Sequence, residues 1–128
     1  VKRDFRIYQT DDLDKRYFPI TAFFNAIPDR DYLETIERMS MGFGTAYNEV
    51  NCQFPGDLDP WENTFDGIMF SVFDEEVIAD YPTTYRFLKE ASKSYSEDNP
   101  QDFDKINLLI KRFAEKFGIT DTSDALPG

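Results

Sequence analysis

The spacing of apolar residues changes twice along this chain, and those changes limit the folds open to it. In "FPITAFFNAIP", Ile20, Phe23, Phe24 and Ile27 recur at i, i+3, i+4 and i+7, which is one face of an α-helix. Pro19 suits the first turn of that helix and Pro28 its end. "DRDYLETIERMSMGFG" repeats the period through Leu33, Ile36 and Met39 or Ser40. Asp29 and Asp31 stand where a helix N-terminus favours negative charge, and Gly42 and Gly44 supply the stop. The middle abandons this period. "TAYNEVNCQF", "GIMFSVF" and "VIADY" are rich in β-branched and aromatic residues. The first predicts a strand, and the other two predict a hairpin with the acids of "DEE" near its turn. Pro82 marks the exit from the sheet, and helical spacing returns through Tyr85, Leu88, Ala91 or Ser92, and Tyr95.

The last helix is the clearest. Phe103, Ile106, Ile110, Phe113 and Phe117 form its stripe, Asn99 can cap it, and Pro100 fits its first position. Asp102 lies in its first turn and Gly118 closes it. Helices, then antiparallel strands, then helices predict an α+β fold. The expected architecture is a small antiparallel sheet of about three strands, flanked by N-terminal and C-terminal helices that cover one sheet face.

A chain of 128 residues suits one domain, which the pattern places at 1–119, with 120–128 as a flexible tail. The first seventeen residues read as an extended arm or a weak helix start. Hydrophobic content of 41%, including 13 Phe, argues against disorder. No apolar run approaches the roughly 18 residues of a membrane span, and no signal-peptide pattern opens the chain, so a cytoplasmic location is expected. The one cysteine, Cys52, cannot form an internal disulfide, and its strand-like neighbours "EVNCQF" predict a buried, inert thiol.

The net charge of −11 is unevenly placed. Residues 1–38 and 86–128 each carry seven bases and eight acids, whereas 39–85 carry nine acids and no base. The nine are Glu49, Asp57, Asp59, Glu62, Asp66, Asp74, Glu75, Glu76 and Asp80. Bases from the flanking helices can pair with some of them. They cannot cover all nine, because the flanks are themselves net negative. An anionic face on the sheet side follows, which repels nucleic-acid phosphates and anionic membranes and attracts a basic partner.

The absence of histidine removes His-based acid–base catalysis, Ser-His and Cys-His nucleophile systems and His-containing metal sites. A carboxylate-pair hydrolase stays open in principle, but nothing selects one pair of acids. Asp57 and Asp59 match the first two positions of an EF-hand loop. Trp61 then occupies the third ligand position and Glu62 the place of the glycine, so a calcium module is poorly supported. No catalytic, cofactor or metal site is expected. Trp61, the only tryptophan, is set among Asp59, Glu62 and Asp66. It can anchor a partner or plug the edge of the core.

"YFPITAFFNAI", "MSMGFG", the "FP" of "CQFPGD", "FDGIMFSV", "EEVIADY" and "YRFLKEAS" follow one another in this order. Together, over about residues 17 to 96, they resemble the CdiI-type immunity proteins of bacterial contact-dependent growth inhibition, in particular the group paired with ribonuclease toxins. The resemblance implies a non-enzymatic inhibitor that binds the C-terminal toxin domain of its cognate CdiA effector in the cytosol, commonly by covering the active site. It assigns no binding residue. Nuclease clefts are usually basic, so the acidic segment is their electrostatic complement. The expected toxin-binding residues are Asp57, Asp59, Trp61, Glu62 and Asp66 of one loop, with Asp74, Glu75 and Glu76 of the hairpin turn. The alternatives are an acidic protein-binding inhibitor or nucleic-acid mimic outside this toxin system, and a calcium-binding module.

Overall fold

The structure, a computed structural model, describes residues 15–61 and 65–119. Most of the N-terminal arm, Glu62 and the 120–128 tail lie outside the described residues. Helix α1 (Phe18–Ala26) and helix α2 (Tyr32–Ser40) come first. Four strands follow: β1 (Thr45–Tyr47), β2 (Val50–Gln53), β3 (Ile68–Val72) and β4 (Glu75–Ala79). Helices α3 (Tyr81–Asp98) and α4 (Phe103–Lys116) end the fold. The α+β reading holds, with four strands in place of about three. The extra one arises because "TAYNEVNCQF" is not one strand: Asn48 takes a positive φ of 54° and folds β1 back on β2.

The sheet is an antiparallel meander in the order β1-β2-β3-β4. Side chains alternate along each strand, so register decides what is buried. Cys52, Phe70 and Val77 stand opposite one another and face the helices. Asn51, Ser71 and Glu76 form the neighbouring row on the outer face, and Gln53, Met69 and Ile78 the next. Against the inner face lies α1. Its Phe23 and Phe24 rings approach Phe70 with centroids at 5.6 and 6.2 Å. The predicted helical faces are the buried ones: Ile20, Phe23, Phe24 and Ile27 in and after α1, Ile36 and Met39 in α2, Leu88 and Ala91 in α3, Ile106, Ile110 and Phe113 in α4.

Polar links pin the helices to each other. Tyr32 Oη and Ser92 Oγ are 2.9 Å apart in the interior, Tyr32 stacks on Tyr95 at 4.3 Å, and Tyr95 Oη donates to Asp102 Oδ2 at 2.6 Å. Asn99 does not cap α4. Its Nδ2 donates back to the Tyr95 carbonyl at 3.0 Å and so closes α3. Pro100–Asp102 form a 3-10 turn before α4 begins at Phe103. The prolines at 19 and 82 sit in the first turns of α1 and α3, where a missing N–H costs nothing.

Candidate partner-binding surface

The base-free segment contains the whole sheet, and most of its acids lie at the two ends of that sheet. After β2 the chain turns through Pro55–Asp57 and runs along a loop that carries Asp59, Trp61 and Asp66 before β3. Asp57 is at the surface, but its carboxylate faces the protein's own backbone. Oδ2 accepts from Phe54 N at 2.8 Å and from Gly44 N at 3.0 Å. This clamps the entry of β1 to the exit of β2. The approach is so close that a β-carbon at Gly44 would fall 2.0 Å from the Cys52 carbonyl oxygen. Asp59 and Asp66 are exposed, and Trp61 is 80% exposed. The tryptophan therefore points outward and does not plug the core.

Met41 and Phe43 are exposed at this same end, which the Gly44–Asp57 bond ties to the loop. The Arg38 guanidinium lies 5.8 Å from the Phe43 ring centroid and donates to the Gly44 carbonyl at 3.2 Å. At the close of the loop, Gly67 has φ of +116°, and a β-carbon there would meet the Ala79 carbonyl oxygen at 2.4 Å. No other residue type fits where the loop re-enters the sheet.

The other end holds the two hairpin turns. Tyr47 pairs with Val50 across Asn48–Glu49, and Val72 pairs with Glu75 across Phe73–Asp74. The Phe73 N–H donates to the Glu49 carbonyl at 3.2 Å and holds the turns side by side. Glu49, Asp74 and Glu75 thus gather at one tip, and all are exposed. Glu76 belongs to the outer sheet face and Glu75 to the inner register, so these two neighbours point to opposite sides. Phe73 is 77% exposed and has φ of +53°, a left-handed conformation that a bulky side chain seldom adopts.

The expected binding residues are therefore split. Asp57, Asp59, Trp61 and Asp66 lie at one end, and Asp74, Glu75 and Glu76 at or near the other. The five steps from Ile68 to Phe73 span roughly 16 Å at strand geometry. Among the described residues, none of Glu49, Asp59, Asp66, Asp74, Glu75 and Glu76 has a base within ion-pair distance. The described bases of the flanking helices therefore form no ion pair with this set. Between the ends, the outer sheet face presents Glu76 and a half-exposed Ile78. Sequence reasoning missed Phe73 and Ile78. The alternation of "GIMFSVF", which buries Ile68, Phe70 and Val72, directs Phe73 away from the core.

Asp80 has a different role. It is the N-cap of α3 and accepts from Thr83 N at 2.8 Å. Hydrogen bonding from Thr83, from its side chain first and its backbone N–H second, with a smaller contribution from Arg86, holds its carboxyl below the usual carboxylate range. The Cys52 thiol is buried, and burial first, then the Asp57 charge, push it well above its ordinary value. A thiolate nucleophile is disfavoured at that position. Among the described residues no three acids or thiols converge as a metal site requires, and no helix is long and apolar enough to cross a membrane.

Comparison with curated proteins finds no match. A family model described as CDI immunity protein matches residues 16–110, from the turn before α1 through much of α4. That span contains all four strands and the loop and turns that carry the unpaired acids. By this match the chain belongs to the CDI immunity protein family.

Proposed function

We propose that this immunity protein neutralises a ribonuclease toxin, the C-terminal domain of its cognate CdiA effector, by binding it reversibly in the cytosol and covering a basic active-site surface. Binding alone suffices, and no chemistry on the toxin is required. The observation that carries this reading is a set of six exposed carboxylates in the sheet region of a family member, none with a base within ion-pair distance among the described residues. Like charges gathered at the two ends of one small sheet create a field that draws in a cationic partner and speeds encounter. A nuclease must hold phosphates, so its cleft offers the matching sign. Charge then sets mainly the rate of capture, and packed apolar anchors set the residence time.

The test reverses Asp59, Asp66 and Asp74 to Lys together. Asp57 stays in place because its carboxylate holds the backbone. Stopped-flow association with the toxin domain encoded by the adjacent CdiA gene should slow about tenfold or more at low salt, and its salt dependence should flatten. Association that is unchanged at low salt would sink the electrostatic reading.

A further inference from the structure

We infer that the β3–β4 tip is the part of this protein that enters the toxin, with the Phe73 ring in the place of a nucleobase and the carboxylates of Glu49, Asp74 and Glu75 in the places of phosphates. The inference rests on the ribonuclease reading above and adds to it the entering element and its anchor. Phe73 is 77% exposed, so its ring gains almost no burial in the free protein. Its φ of +53° is also strained for a phenylalanine. The matching turn position in the first hairpin holds Asn48 at φ 54°, a residue type that tolerates this conformation. Nothing in the fold asks for a phenyl ring at 73, where asparagine or glycine would be easier. A strained and unburied aromatic is therefore explained by what it meets outside the molecule.

Its surroundings limit what that can be. The backbone bond from Phe73 N–H to the Glu49 carbonyl puts Glu49 in the adjoining turn, Asp74 shares the turn of Phe73, and Glu75 follows directly. An aromatic anchor rimmed by unpaired carboxylates calls for a partner with a flat apolar recess and a cationic rim. A second copy of this chain is a poor fit, because a two-fold interface would press the same acids together on molecules of charge −11. Nucleic acid and anionic membrane are repelled for the same reason. The cleft of a ribonuclease has both required features: cations for phosphates and stacking surfaces for bases. The Trp61 loop, at the far end of the sheet, then lies outside the cleft.

The test is Phe73→Gly beside Phe73→Trp and Trp61→Ala, with surface binding to the toxin domain encoded by the adjacent CdiA gene. Glycine removes the ring and relieves the φ strain, so the thermal midpoint of Phe73→Gly should hold or rise while toxin dissociation speeds up at least tenfold. Phe73→Trp should keep slow dissociation, and Trp61→Ala should change it less than threefold. A short single-stranded RNA should compete with the wild-type protein for the toxin. Wild-type dissociation rates in Phe73→Gly, or a greater loss in Trp61→Ala, would overturn the tip inference and leave the ribonuclease reading standing. A wild-type protein that does not bind the toxin domain would overturn both.

Discussion

Asp57 and Phe73 are both exposed members of the acidic sheet region, and they act in opposite senses on stability. Asp57 supplies one oxygen to two backbone N–H groups, from Phe54 and Gly44. Removing it leaves both donors to water at a point where the chain is too tightly packed to shift. Asp57→Ala should cost about 1–2 kcal/mol in urea denaturation, and Asp57→Asn, which keeps an acceptor oxygen, about half of that. A reversal to Lys at 57 would mix this loss with any effect on binding. Phe73, in contrast, adds strain without burial. The two residues show that membership of an acidic run says little about role. What matters is whether the side chain faces its own backbone or the solvent.

At the scale of elements, Asp80 is read through its cap on α3, with the Arg86 charge a smaller contribution. Asp80→Ala should lower stability by about 1 kcal/mol at neutral pH. The sign of the pH effect follows from the lowered carboxyl value. The cap is fully in force above the unfolded carboxyl value of about 3.9 and is lost as pH falls through the lower folded one. Denaturation series should therefore show wild type and Asp80→Ala converging as pH drops below about 4. The helices were legible from the sequence because each buries one stripe at the 3.6 period, and Ile20, Phe23, Ile106 and Phe113 follow that period strictly. The first hairpin was not. Its turn, Asn48–Glu49, lacks the usual glycine, so β1 and β2 read as one run. Asn99 stands between two helix ends and its sequence neighbours suit either duty, so spacing alone does not show that its side chain closes α3 and leaves α4 uncapped. Register lies deeper still. That Glu49 joins Asp74 at one end of the sheet depends on the pairing of β2 with β3, which local composition does not encode.

At the scale of the whole molecule, the charge of −11 acts on the fold as well as on partners. Unpaired carboxylates at both ends of one small sheet repel each other through solvent, and salt screens that repulsion within a Debye length of about 10 Å at 0.1 M. Thermal midpoints should rise as sodium chloride is raised from about 0.01 to 0.1 M. The Asp59, Asp66 and Asp74 reversal variant should show a smaller rise. The strand order β1-β2-β3-β4 has a consequence of another kind. Every strand pairs with its neighbour in the chain, so the sheet zips up by closing short loops, and the longest excursion within it is 54–67. Topologies rich in such near-neighbour contacts fold quickly. The time a newly made chain needs to become competent for binding is then set by how the strands follow one another. Exchanging surface acids to suit a different toxin leaves that speed intact.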